Sequence, residues 1–176
     1  RSMQRVKEFS WAVLYTHLLS DVIKNSIAAY MAELIYKCLK QPEANTDLFN
    51  FCEESFLQLD KAARPVAANF ALFFTLHLTH FFGFRLADNF SSENTFLDLQ
   101  EGCFTNHQPS HPHFMDGKYA ELTSQLLKVM QPLELEEFRL NQEIRRTLLI
   151  KYLEYYALHI SDFGPMKTLM VLHEVL

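Results

Sequence analysis

The sequence predicts a mostly α fold, an irregular helical bundle of six or seven helices with one small β-hairpin insertion. Three observations carry this prediction. Apolar residues recur at three- and four-residue spacing through most of the chain, the period of a buried helix face. Only 4 Gly and 6 Pro occur in 176 residues, too few for a fold of many short strands and turns. Aromatic residues make up 14% of the chain, 16 of them Phe, enough to fill a sizeable core at this length.

Residues 1–8 have mixed charge and weak period, and read as the remnant of a preceding domain or a linker. Arg1 in place of Met agrees with a piece of a longer protein. Residues 9–176 read as a single helical domain, with a hairpin and loop insertion at about 85–115. Residues 9–19 are apolar but irregular, a turn or short helix laid on the core. Ser20 or Asp21 then caps a helix over 22–39, whose stripe is Ile23, Ile27, Tyr30, Met31, Leu34, Ile35 and Cys38. Residues 41–45 end it. Thr46 or Asp47 starts the next helix, with Leu48, Phe49, Phe51, Cys52, Phe56 and Leu59 facing inward.

The basic connection 61–65 leads to a helix over 66–82, stopped by Gly83. This helix is apolar on nearly every side, from Phe70 to Phe82. It is either the middle of the bundle or a face offered to a partner. Residues 85–94 form a polar loop. Residues 95–99 and 103–105 alternate around Gln100-Glu101-Gly102, the pattern of a small hairpin. Residues 106–114, with two prolines and three histidines, are expected to be irregular. Asp116 caps a helix to about Met130, Pro132 breaks it, and residues 133–140 form a short helical link. Asn141 caps the last long helix, with Ile144, Leu148, Leu149, Tyr152, Leu153, Tyr156 and Ile160 inward and Glu143, Thr147, Lys151 and Glu154 facing water. The stretch Asp162-Phe163-Gly164-Pro165 breaks it, and a short segment over 166–176 closes the chain, buried through Leu169, Leu172 and Leu176.

The net charge of −5 argues against a surface devoted mainly to nucleic acid. Three cysteines, Cys38, Cys52 and Cys103, lack close spacing and suit a reducing, cytoplasmic setting. The most apolar run, 66–82, is too short and too polar to span a bilayer. No nucleophile elbow, phosphate-binding glycine loop or dinucleotide motif is present, so no catalytic residue is assigned. The suggestive chemical cluster is Cys103, His107, His111 and His113, residue types that ligate zinc but in an unfamiliar spacing. His77 and His80 lie three apart on one helix without accompanying carboxylates. Neither group is assigned a metal or cofactor. Two basic groups remain: Lys61, Arg64 and Arg85 flanking the aromatic helix, and Arg139, Arg145, Arg146 and Lys151 around the start of the last long one. A cation beside aromatic surface suits an acidic peptide with an apolar tip. Lys61, Arg64, His77, His80 and Arg85 are therefore the candidate peptide site, and the second group a candidate nucleic-acid or partner contact.

Five segments in order resemble one family. They are DVIKNSIAAYMAELIY (21–36), DLFNFCEESFLQLD (47–60), FTLHLTHFFGF (74–84), FLDLQEGCF (96–104) and YLEYYALHISDFGPMKTLMVL (152–172). Together they are similar to the C-terminal, mostly helical part of the RecO family in its Bacteroidetes form. The resemblance implies a recombination mediator of the RecFOR type, not an enzyme, that helps load RecA on single-stranded DNA and anneals strands. It implies as partners RecR and the acidic, Phe-ended tail of the single-stranded-DNA-binding protein. The family's DNA contact lies largely in an N-terminal OB-fold, which this sequence does not contain, so single-stranded DNA binding by the fragment is expected to be weak and salt-sensitive. Many relatives carry a four-cysteine zinc module where this chain has only Cys103, so the hairpin is expected to stand on Phe96, Leu97 and Phe104. The alternative is a metal-binding or metal-stabilised helical protein built on the Cys103/His107/His111/His113 loop.

Overall fold

The computed structural model describes residues 8, 10, 13–41 and 44–175. Among them are six α-helices, two 3-10 turns and one three-stranded sheet. The expected linker (apart from Glu8), Phe9, Trp11 and Ala12 of the first turn, Pro42 and Glu43 of the first helix stop, and Leu176 lie outside the described residues.

Helix α1 spans Val22–Cys38, and Asp21 caps it by accepting the N–H groups of Ile23 and Lys24. Helix α2, Thr46–Lys61, is capped by Asn45 rather than by Thr46 or Asp47, which already lie inside the helix. Phe49, expected inward, is 64% exposed. The α2 residues that bury are Leu48, Ser55, Leu59 and Asp60, and Phe49 falls beside the face that Leu48, Ser55 and Leu59 share. Helix α3, Arg64–Leu78, starts two residues earlier than the periodicity indicated, because Pro65 needs no N–H partner in a first turn. It runs into a 3-10 turn, Thr79–Phe81, and Gly83 at φ 79 ends the rod.

Of the two readings of the aromatic helix, the central one holds. Helix α3 packs against α1, α2, α4 (Gly117–Leu127), α5 (Gln142–His159) and the second 3-10 turn, Pro132–Glu137. Phe70, Leu72, Phe74, Leu76 and Leu78 are almost completely buried. Polar groups in this core are few, and one of them joins three helices. The Thr75 hydroxyl donates to the Ala71 carbonyl at 2.6 Å, which leaves its oxygen to accept from the Tyr30 hydroxyl of α1 at 2.8 Å. The Tyr156 hydroxyl of α5 donates to the Thr75 carbonyl at 2.7 Å. Three helices are thereby tied at one residue. Burial pushes both tyrosine hydroxyls up, so they stay protonated donors. Asn69 of α3 holds the second 3-10 turn by donating to the Leu135 and Phe138 carbonyls.

The sheet has the order β2-β1-β3, all antiparallel, from β1 (Phe96–Asp98), β2 (Cys103–Thr105) and β3 (Phe114–Met115). The hairpin was expected; β3 was not, because two residues at the end of a proline-rich loop carry no alternation to read. Gly102, at φ 68, is required on two counts, since a Cβ there would stand 2.6 Å from the Tyr155 hydroxyl. Asp116 precedes α4 without a side-chain capping bond, and α4 stops at Leu127, short of the expected Met130. Asn141 caps α5 through the Ile144 N–H.

Residues 16–18 and the start of the last helix are held by carboxylates from distant helices. Asp60, 4% exposed at the end of α2, accepts the N–H groups of Thr16, His17 and Leu18 and the Thr16 hydroxyl. Burial would raise its pKa, but those donors outweigh it and hold the carboxyl well below the usual range. Glu33 of α1 does the same for α6 (Thr168–Val175), accepting the Lys167 and Thr168 N–H groups at 2.8 Å and the Thr168 hydroxyl at 2.7 Å. Burial raises the Glu33 pKa, and the bonds from Lys167 and Thr168, with nearby Lys37, more than reverse the shift. A carboxylate whose folded pKa is lowered stabilises above its unfolded pKa and loses that contribution as pH falls through the folded value. Glu33→Ala is therefore expected to cost roughly 1 kcal/mol in urea unfolding at pH 7. The difference from the wild type should narrow below about pH 4.5, and amide exchange at Lys167 and Thr168 should accelerate. A pH-independent difference would contradict the capping role.

Candidate functional site

The structure separates the residues chosen as the peptide site. Arg64 opens α3 and His77 is its next-to-last residue, which places them about 20 Å apart along the axis at 1.5 Å per residue. Lys61 and Arg64 are exposed at one end of α3, and His77, His80 and Arg85 gather at the other. The His77 ring lies 4.4 Å from that of Phe73 and 5.5 Å from that of His80. Burial first, then His80 and Arg85, push its pKa down to about 4, so it is neutral at pH 7. Burial and Arg85 lower that of His80 as well.

The second basic group also divides. Lys151 is committed to Glu154 at 2.9 Å. Arg139 and Arg146 are exposed, and the half-buried Arg145 guanidinium donates to the Leu140 carbonyl. Arg145 and Arg146 border a shallow cleft between α3, α5 and α6, floored by Ala71, Leu72 and Leu172, with only about 20 Å³ of room. That admits one methyl-sized group.

The histidines of the insertion serve as clasps. His111 Nε2 lies 3.2 Å from Asp98 Oδ2, and His113 Nδ1 lies 2.6 Å from Glu154 Oε1. Glu154, expected to face water, is instead half-buried between His113 and Lys151. Burial raises its pKa, and these two partners bring it below the ordinary value. Leu97 and Phe104 bury the hairpin as expected, while Phe96 is half-buried and meets Phe114 edge-on. Two α5 side chains add to them: the Tyr155 hydroxyl donates to the Phe84 carbonyl at 2.6 Å, and His159 Nε2 meets the Leu99 carbonyl at 3.0 Å. His107 is exposed, and burial with Asp98 and Glu101 pushes the Cys103 thiol up. Among the described residues no three His, Cys, Asp or Glu side chains gather where they could hold a metal ion.

What the structure does bring together is an open groove where α1 and α3 end. Its first hollow, about 480 Å³, is lined by Ile35, Leu39, Leu48, Phe49 and Cys52. Leu39 and Leu48 carry it into a second of about 350 Å³, where Lys40, Phe81 and Phe82 form the wall. Lys40 and Phe82 carry it into a third of about 460 Å³, bounded by Phe84, His159 and Asp162. Lys40 Nζ reaches the Asp162 carbonyl at 3.4 Å and forms no ion pair among the described residues. Asp162 stands at φ 56, a left-handed conformation that Asp tolerates in a sharp turn. Phe81 and Phe82 were legible as the end of the aromatic helix. Lys40 was not, because a lysine after a helix stop reads as a solvated end.

No helix among the described residues is long and apolar enough to cross a membrane. The chain matches the family model described as "Recombination protein O C terminal" over residues 19–169. It is 33% identical to the DNA repair protein RecO of Azobacteroides pseudotrichonymphae, over 99% of this chain and 72% of that protein. It is 31% identical to those of Phocaeicola vulgatus and Bacteroides fragilis strain ATCC 25285, over 99% of this chain and 71% and 72% of theirs. No solved structure matches.

With no three ligand side chains gathered at one point among the described residues, added zinc is expected to leave the melting temperature unchanged. A rise of several degrees that Cys103→Ser or His107→Ala removes would restore the metal reading.

Proposed function

The chain belongs to the RecO family of bacterial DNA repair and recombination proteins, which are non-enzymatic mediators, and we propose that its helical domain is the family's protein-docking module. In this reading it works in the cytoplasm, within the RecFOR pathway. It takes the acidic, Phe-ended tail of the single-stranded-DNA-binding protein, and cooperates with RecR while RecA is loaded and strands are annealed. The supporting observation is the groove at Lys40, Phe81 and Phe82. Its hollows are roomy enough for a phenyl ring, its walls are aromatic, and an ammonium without an ion-pair partner among the described residues stands on its rim. An aromatic anchor with charge-assisted contacts around it is how small interfaces gain most of their affinity. Lys61 and Arg64 lie at the opposite end of α3, beyond reach of a ring seated beside Phe82. The cleft at Arg145 and Arg146 has matching charge, but its room is too small for a phenyl ring while α6 stays in place.

A fluorescent acidic peptide ending in Phe tests the reading. Salt-sensitive binding is expected, weakened about tenfold by Lys40→Glu, lost when the terminal Phe is replaced by Ala, and unchanged by Lys61→Glu with Arg64→Glu. Binding that ignores Lys40→Glu, or that falls with the Lys61 and Arg64 pair instead, would overturn the groove assignment. No binding at all would overturn the docking module.

A further inference from the structure

Helix α1 faces solvent without a charge. Its exposed residues are Val22, Asn25, Ala29, Ala32 and Tyr36, and Leu39 at the C-cap continues the row. By contrast α2 exposes Asp47 and Glu53, α4 Lys118 and Glu121, and α5 Glu143 and Arg146, as a water-facing helix side ordinarily does. The α1 row advances by alternate steps of three and four, the seven-residue repeat of a helix seam, which keeps its side chains in one line. Val22 is 69% exposed and Tyr36 81%, large apolar surface that nothing among the described residues covers. The charges beside the row are turned elsewhere: Glu33 accepts from Lys167 and Thr168, and Lys37 Nζ donates to the Phe163 carbonyl. The two ends of the row differ. Leu19, 75% exposed, stands just before Val22. Leu39 opens instead into the hollow of about 480 Å³ that Ile35, Leu48, Phe49 and Cys52 complete, with the exposed Phe49 ring on its rim.

An uncharged seam gives an acidic or basic partner nothing to pair with, but it suits a second uncharged seam. We propose that the chain self-associates through α1, two copies packing antiparallel about a twofold axis between Ala29 and Ala32. Turned end for end, the row meets itself residue by residue. Val22 falls opposite Leu39 of the second copy, Asn25 opposite Tyr36, and Ala29 opposite Ala32. Alanines at the axis let the two helices approach to about 8 Å. The Asn25 amide then meets the Tyr36 hydroxyl, and each copy's Leu19 and Val22 stand at the other's hollow. A twofold contact has to be self-complementary in this way. A parallel pair would set Asn25 on Asn25 and hollow beside hollow, leaving Phe49 uncovered. The 17 residues of α1 make a seam about 25 Å long. At about 20 Å in width it buries on the order of 1,000 Å² over the two copies, the lower bound for a specific interface. The dimer is accordingly weak. It uses the hollow at Phe49 and not the walls at Phe81 and Phe82, so this proposal and the tail groove can fail separately.

Sedimentation velocity on the chain, from about 1 to about 100 µM, tests the seam. The weight-average mass is expected to rise toward twice that of the monomer. Ala29→Glu, at an exposed helical position where folding is unaffected, puts two carboxylates into the apolar seam and should weaken dimerisation about tenfold. Adding Ala32→Lys to Ala29→Glu should restore it to within about threefold of the wild type, because antiparallel packing brings each introduced acid against the other copy's introduced base. A parallel seam would pair like with like and deepen the loss. Lys118→Glu, on the exposed side of α4, should change nothing. A chain that stays monomeric throughout, a dimer indifferent to Ala29→Glu, or a loss that the double variant does not repair would each overturn the antiparallel seam. In the first case the α1 face belongs to a partner other than this chain.

Discussion

The register of the central helix depends on one buried threonine. Thr75 lies in the middle of the mostly apolar helix α3, and its side chain and carbonyl together receive Tyr30 from α1 and Tyr156 from α5. Apolar packing alone is forgiving about rotation, because many arrangements of Leu and Phe bury similar area. A buried hydroxyl is not, since a small turn of α3 would strand two tyrosine donors and one threonine acceptor in a medium without water. The same rotation sets which residues of α3 face which neighbour. Phe73 and His77 are turned toward α2, and Phe81 and Phe82 toward the end of α1, only in the register that Thr75 enforces.

Around that centre, the structure repeatedly ends a segment with a carboxylate, distant in sequence at Asp60 and Glu33 and local at Asp98. Asp60 gathers the N–H groups of residues 16–18, Glu33 those at the start of α6, and Asp98 those of Gln100 and Glu101 in the hairpin turn. A free helix start or turn exposes donors that need an acceptor, and an anion meets that need together with the local dipole. This gives the modest negative charge of the chain a structural use. Several acidic residues are spent on backbone rather than presented to solvent, which leaves the exposed lysines and arginines freer to meet an acidic or phosphate-bearing partner than the net charge suggests.

The helices were legible because burial on one face imposes a period, and the period survives in one dimension. The centre of the bundle was legible for a related reason, since a helix apolar on all sides has few places to go. What stayed hidden has no period. The Glu33 bonds span more than 130 residues and the Asp60 bonds more than 40, and nothing in either neighbourhood marks the acid as a cap. Glu154 falls on the polar side of α5 by spacing, yet the insertion folds over it and His113 makes it an inside residue. The candidate peptide residues are divided for a simpler reason: residues that flank a helix in sequence stand at its two ends in space.

That separation points to where recognition can occur in a fold of this kind. A central helix covered by four others has no length of its own to lend to a partner, so open surface arises only where its packing is interrupted. At Gly83 the rod stops, the 3-10 turn splays Phe81 and Phe82 outward, and the end of α1 leaves Leu39 and Lys40 beside them. Between α2 and the segment after α4, the neighbours of α3 separate far enough to leave His77 without a partner on one side. Both openings lie at the C-terminal half of the same helix, and Phe51 of one stacks on Phe74 and touches Phe81 of the other. A ligand that moved Phe51 would therefore be felt at Phe81. Two sites joined through a packed aromatic contact are coupled without a hinge or a domain motion, provided that each ligand favours one arrangement of that contact.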